Sequence, residues 1–241
     1  MSFHSTVVRR LTASYGGLSR SGAPTDRMSP ALDDLSMRFA LFARTCVGDV
    51  LDMGCGDGIA TAAALARGAR VYAVDADRAL LQHLLTRIPP VHTPRLKVRI
   101  GSLPSVNFKY PRFSAVHVSR VLQFLDPLAL QRSMQKFLHW LYPDGKLFLS
   151  TLTSAGDYWQ FAESEIVRRK LARDPWPGYL EDVRRLRPSW DGASDAVHLL
   201  DEPILRRELE TAGFEIEYTH VYPLPWDSDQ MCCAVVARCR A

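Results

Sequence analysis

The segment Val50-Leu51-Asp52-Met53-Gly54-Cys55-Gly56-Asp57-Gly58 decides how this chain is read. Asp49 to Met53 is a short apolar run of strand character, and the Ala-rich stretch Ile59 to Arg67 predicts a helix ending at Gly68. A glycine-rich turn between a strand and a helix lets backbone approach a ligand closely and lets the chain turn sharply. Outward from this turn the patterns alternate. Arg70 to Val74 predicts a second strand, and Asp77 to Arg87 a helix stopped by Pro89-Pro90. Leu96 to Ile100 and Phe113 to Val118 predict a third and a fourth strand. Pro127 to Leu141 predicts a helix, and Lys146 to Leu152 a fifth strand. Such an alternation of short apolar strands with helices predicts a mainly parallel sheet covered on both faces. Upstream, Ser29 and Pro30 read as N-cap and first turn of a helix whose apolar positions run from Leu32 to Phe42 and which ends near Arg44.

After Thr153 the pattern breaks. Residues 154–200 are rich in Trp, Tyr and Pro and predict an insertion beside the sheet on the substrate side. Glu202 to Ala212 returns to an amphipathic helix with Gly213 as C-cap. Phe214 to Val221 and Met231 to Arg238 predict two closing strands. Residues 1–28 read as an arm or lid, and 29–241 as the main domain.

The spacing of the glycines discriminates between ligands. A dinucleotide fingerprint is Gly-x-Gly-x-x-Gly, with a pyrophosphate at the helix N-terminus. Here the order is Gly54-x-Gly56-x-Gly58, and Ile59 stands where the third glycine belongs. Asp52 and Asp57 would both repel a pyrophosphate. They suit a ligand without phosphate that carries an ammonium and a sulfonium. No Gly-Lys-Ser/Thr of a phosphate-binding loop is present. The second strand ends in Val74-Asp75-Ala76, an acidic position about twenty residues past the turn, where a carboxylate accepts both hydroxyls of a ribose. Asp77 is available as the N-cap of the next helix, which leaves Asp75 for that task.

On these residues the chain resembles the class I S-adenosylmethionine-dependent methyltransferases, over about residues 29–238. Asp52 to Gly58 is similar to the family's first motif, and Val74-Asp75 to its ribose-binding acid. Gly101-Ser102-Leu103 stands where the family has an acidic or polar residue near the adenine; the serine is a departure. Phe113 to Leu122 resembles the fourth-strand motif, and Leu141 to Leu147 the turn into the fifth strand. The resemblance implies a doubly wound, Rossmann-like, seven-stranded α/β sheet, mostly parallel with a C-terminal antiparallel hairpin. It implies S-adenosyl-L-methionine as cofactor, contacted by Asp52, Gly54, Cys55, Gly56, Gly58, Asp75, Ala76, Gly101, Ser102, Leu103, Ser119 and Arg120. Tyr15 joins this set if the N-terminal arm closes over the site, as in related enzymes.

Methyl transfer needs positioning and exclusion of water more than a particular reactive side chain. His117, on the fourth strand, and His198, near the end of the insertion, are the candidate bases. Each is weighed against a hydrogen-bonded structural histidine. Tyr158, Trp159 and Trp176 are candidates for the wall of an apolar acceptor pocket, against the alternative that they pack the insertion onto the sheet.

The chain has 241 residues, 47% hydrophobic, with a formal net charge of +4. That length suits one α/β domain with added elements, and the mild charge gives little support for nucleic-acid binding. Arg168, Arg169, Lys170, Arg184, Arg185 and Arg187 are interleaved with acids, the pattern of a salt-bridged helix face. The five cysteines form no CxxC pair and read as reduced thiols in a cytoplasmic protein without a metal site. The polar N-terminus lacks an apolar signal core, and no run is long enough to span a membrane. The function expected is methylation of an oxygen or nitrogen of a small metabolite or natural product. Its rivals are a methyltransferase acting on RNA or protein, a silent binding or scaffolding protein of the same fold and, more distantly, a dehydrogenase. The sequence sets neither the acceptor nor the oligomeric state.

Overall fold

The structure, a computed structural model, describes residues 32–109, 112–190, 192, 194–224 and 227–240. In chain order it contains α1 (Asp34–Ala43), β1 (Asp49–Met53), α2 (Ile59–Ala66), β2 (Val71–Asp75), α3 (Arg78–Arg87), β3 (Leu96–Ile100), β4 (Phe113–Ser119), α4 (Pro127–Trp140) and β5 (Leu141–Leu152). There follow α5 (Glu163–Leu171), β6 (Tyr179–Leu180), α6 (Val183–Leu186), β7 (Val197–His198), α7 (Glu202–Ala212), β8 (Phe214–Leu224) and β9 (Asp227–Cys239).

Seven strands form one sheet in the order β3-β2-β1-β4-β5-β9-β8. β1 pairs in parallel with β2 and β4, β2 with β3, and β4 with β5. β9 runs antiparallel to β5 and β8. The doubly wound sheet with a closing antiparallel hairpin is therefore as expected. Alternate residues of the buried strands serve opposite faces. Leu51, Val116, Leu147 and Val235 pack with Leu130, Phe137 and Trp140 of α4 and Leu205 of α7. Val50, Ala115, Phe148 and Ala234 pack with Leu35 and Phe39 of α1, Ala64 of α2 and Leu84 of α3.

Several boundaries differ from the sequence reading. The helix expected to begin at Ser29-Pro30 starts at Asp34, because the Asp33 carboxylate caps it by accepting the Ser36 amide at 2.7 Å. Ser29, Pro30 and the arm with Tyr15 lie outside the described residues. The stretch read as a turn into the fifth strand belongs to β5: Phe113 pairs with Leu141 and Ala115 with Lys146, so the intervening residues bulge out of the ladder, with Asp144 left-handed at φ 61°. β8 and β9 extend past Val221 and begin before Met231, because each completes the other's ladder. Asp77 caps α3 through the Ala79 amide, and Gly213 ends α7 in the left-handed conformation.

Residues 154–200 build a small unit with its own core. Trp159, Ile166, Leu180, Val183, Val197 and Leu199 enclose one another, and β6 and β7 pair as an antiparallel ribbon. Asp201 ties both ends of this unit down. Its carboxylate accepts from the Thr153 hydroxyl at 2.6 Å and the Ser154 amide at 2.8 Å, and pairs with Lys170 at 2.9 Å. No helix among the described residues is long and apolar enough to cross a membrane.

Candidate active site

The strand order reverses beside β1, whose neighbours are β2 on one side and β4 on the other. Loops leaving adjacent strands there part in opposite directions and open a crevice at the carboxyl ends. The Gly54–Gly58 loop leaves β1 into it, Asp75 ends β2, Gly101 follows β3, and Ser119 and Arg120 end β4. Tertiary structure thus gathers most of the expected cofactor contacts at one edge.

The loop is anchored by backbone. The Gly54 and Cys55 amides donate to the Val74 carbonyl at 2.7 and 3.0 Å. All three glycines are left-handed, but they serve different ends. A Cβ on Gly54 would lie 2.3 Å from Val121, and one on Gly58 2.5 Å from Leu84. These two are required by close packing. A Cβ on Gly56 would meet nothing within 4 Å among the described residues, so the middle of the loop faces away from their packed side chains. Beside it, the Asp75 carboxylate accepts the Gly56 amide at 2.8 Å and the Asp77 amide at 2.9 Å. Burial raises the Asp75 pKa, and these two amides partly offset the rise. The Gly101 amide donates to the Asp75 carbonyl at 2.9 Å, and Leu103 is buried beyond it. Burial also holds the Cys55 thiol far above its ordinary pKa.

Asp52 and Asp57 turn out to be engaged by protein. Asp57 pairs with Arg87 at 2.7 Å. Asp52 is 1% exposed; it accepts from the Thr61 hydroxyl at 2.6 Å and holds His117 Nδ1 at 2.8 Å. On its other side, His117 Nε2 lies 3.1 Å from Ser36 Oγ. At the end of β4, Ser119 and Ser150 hydroxyls meet at 2.9 Å. Arg120 follows in the left-handed region, φ 56°, with its amide on the Ser150 carbonyl and its guanidinium 3.8 Å from Asp33. Non-glycine residues in this region cluster at functional sites.

His198 lies apart from this group. It is 1% exposed, its Nδ1 meets the Leu125 carbonyl at 2.9 Å, and the rings of Trp176 and Tyr179 abut it edge-on. Desolvation lowers its pKa to about 4. Of the aromatic candidates, Trp159 is enclosed in the small core, whereas Tyr158 and Trp176 are half-buried, with Arg187 over one ring and Arg207 over the other. The sequence reading missed Asp33, Ser36 and Tyr222. Burial, with Asp33 nearby, pushes the Tyr222 phenol above its ordinary pKa. The spacing Asp33-x-x-Ser36 was the available signal for the first two, as an N-cap pattern. Among the described residues, no cluster of His, Cys, Asp and Glu is placed to hold a metal ion.

The His198 shift has a measurable consequence. Its folded pKa lies below the ordinary 6.5, so between these values the unfolded chain binds a proton that the folded chain excludes. Stability from this group is full above pH 6.5 and declines on acidification toward pH 4. Urea unfolding at pH 7 and pH 5 is expected to show wild type losing about 2 kcal/mol more than His198→Gln. Equal losses would place the proton uptake elsewhere.

Comparison with known proteins agrees with this geometry. A family model described as a methyltransferase domain matches residues 24–219. The ubiquinone biosynthesis O-methyltransferase of Xanthomonas campestris pv. campestris is 33% identical over 136 residues, 54% of this chain and 52% of that protein. The chain thus aligns with about half the length of that curated relative. A SAM-dependent methyltransferase from Methanosarcina mazei superposes with a TM-score of 0.64 at 18% identity, covering 80% of this chain and 92% of the other. The Burkholderia thailandensis 1,6-didemethyltoxoflavin-N1-methyltransferase, solved with 1,6-didemethyltoxoflavin and S-adenosylhomocysteine, superposes with a TM-score of 0.61 at 21% identity, covering 87% of this chain and 80% of the other. Both solved structures share the fold described above. With the family match spanning most of the chain, the protein belongs to the methyltransferase-domain family.

Proposed function

We propose that this domain transfers the methyl group of S-adenosylmethionine to an oxygen or nitrogen of a small metabolite or natural product, in the cytoplasm. The observation that carries the reading is the space left among the described residues at Gly56 beside the Asp75 carboxylate, in a loop whose other two glycines are packed shut. A carboxylate offers about four acceptor positions. Two are used by the Gly56 and Asp77 amides, which leaves room for the two ribose hydroxyls. Gly101, Ser102 and Leu103 then border the adenine, and Ser119 and Arg120 the amino-acid end. When bound, the cofactor supplies an electrophilic methyl and its own leaving group. The protein's part is to align the acceptor with that methyl and keep water out. The proposed reading uses neither His117 nor His198 as a base, since both imidazoles are enclosed.

The acceptor is assigned to the side of the 154–200 unit, whose end is hydrogen-bonded to the end of β5 through the Leu200 amide and Leu152 carbonyl at 2.9 Å. Tyr158 and Trp176 are assigned to its wall, with Trp159 supporting Tyr158 from the small core. A small acceptor is favoured over RNA because three arginines of this unit are paired with acids within it. Arg168 pairs with Glu165, Arg169 with Glu165 and Asp174, and Arg184 with Asp195. The similar Burkholderia thailandensis methyltransferase was solved with a small molecule, 1,6-didemethyltoxoflavin, and the similar Xanthomonas enzyme is named for an O-methylation in ubiquinone biosynthesis. Five free thiols, most of them buried, support a reducing compartment.

Calorimetric titration with S-adenosylhomocysteine is expected to give one site per chain, and saturation to raise the melting temperature by mass action. NAD should do neither. Binding of NAD without a response to S-adenosylhomocysteine would overturn the reading.

A further inference from the structure

Strand β4 carries an imidazole in an otherwise apolar run, between Val116 and Val118. A polar group so placed is costly unless its partners are supplied. They come from three separate elements and form one buried chain. Thr61, in the first turn of α2, donates to Asp52 Oδ2 at 2.6 Å. Asp52 Oδ1 holds His117 Nδ1 at 2.8 Å. A carboxylate oxygen only accepts, so Nδ1 is the donor, and the other ring nitrogen, Nε2, is hydrogen-bonded to Ser36 Oγ, 3.1 Å away. The Ser36 amide is in turn held by Asp33 at 2.7 Å, and the other Asp33 oxygen faces Arg120 at 3.8 Å. Phe39 of α1 stacks on the imidazole at 4.7 Å.

Asp52 and Thr61 bracket the Gly54–Gly58 loop, one before it and one after. The chain therefore starts at both ends of the cofactor loop and reaches the first turn of α1 and then Arg120, across the same crevice. Buried networks of this kind are strong when complete and costly when one member is lost.

We propose that His117 is a positioning residue that couples the cofactor loop to the first turn of α1, so that a ligand settling on the loop also orders Asp33, Ser36 and Arg120 on the opposite wall. The proposal rests on the reading that an S-adenosylmethionine-type cofactor occupies this loop.

The test is amide hydrogen exchange of the whole chain with and without S-adenosylhomocysteine, alongside calorimetry. In wild type the ligand is expected to slow exchange both at residues 54–61 and in the first turn of α1, the latter by about threefold or more. Ser36→Ala removes the link to α1 and keeps the Asp52–His117 pair. It should bind up to about threefold more weakly, the share of affinity tied to ordering α1, and protect residues 54–61, but lose the protection in α1. His117→Asn keeps a donor for Asp52 and should behave alike. His117→Leu removes both links and should also weaken binding by about tenfold. The first two variants keep the test decisive if the leucine variant does not fold. Protection of α1 that persists in Ser36→Ala and His117→Asn, or its absence in a wild type that binds the ligand, overturns the coupling alone. A wild type that does not bind S-adenosylhomocysteine overturns the cofactor reading and the coupling with it.

Discussion

Gly56→Val is expected to weaken S-adenosylhomocysteine binding by on the order of 100-fold or more, while leaving a folded protein. The reason lies in which way each glycine of the loop faces. At Gly56 an added Cβ meets no atom of the described residues within 4 Å, so the expected cost to folding is that of holding a β-branched residue at φ 55°, about 1–3 kcal/mol. The same side chain fills the space the ligand needs beside Asp75. Gly54→Val is the matched control. Its Cβ would fall 2.3 Å from Val121, so this variant should be destabilised in the absence of any ligand. Urea unfolding and calorimetry on the two variants separate the effects. Gly56→Val that binds normally would show that the ligand does not approach the loop at its centre.

Asp75→Ala is expected to lower the same affinity by about 1.5–3 kcal/mol, roughly 10- to 150-fold, the range for losing hydrogen bonds to a charged group. The fold should persist, because α3 keeps its own cap at Asp77 and Asp75 stands at a strand end. The variant also releases the Gly56 amide, so part of the loss reaches the ligand through the loop. Asp75→Asn retains one carbonyl acceptor and should fall between alanine and wild type. Calorimetric titration of the three proteins checks the order, and equal affinities would place the ribose elsewhere.

These two positions also show how far the site was legible in sequence. Asp75 was singled out because Asp77 was visibly free to take the capping role that would otherwise explain it; the structure gives Asp77 that cap and sets the Asp75 carboxylate against the loop at Gly56, and its contact with a ribose is the proposal. The glycines were legible as a group but not individually. Only the packed structure shows that Gly54 and Gly58 yield to Val121 and Leu84, whereas Gly56 yields to nothing among the described residues. Asp52 was read as a ligand contact from its place in the motif. In the structure both its oxygens are held by Thr61 and His117, partners 9 and 65 residues away in the chain.

The sequence by itself determined the alternation of strands and helices, the glycine turn and the acid that follows it, because these are local: periodicity, capping and turn chemistry act over a few residues. It thereby determined the sheet type and the methyltransferase resemblance. Tertiary structure alone decided what is built from distant residues. The bulge at the start of β5 and the full length of β8 and β9 depend on partners the local pattern does not contain, whereas α1 starts at Asp34 through a local cap, Asp33 on the Ser36 amide, which the sequence reading passed over. The environments of the two histidines belong to the same class. His117 and His198 carry the same chemistry in sequence, and only packing gives one a carboxylate and a hydroxyl and encloses the other between Trp176 and Tyr179. A side chain's hydrogen-bond partners and desolvation are set by what the fold brings against it, and that is a property of the assembled core rather than of any segment.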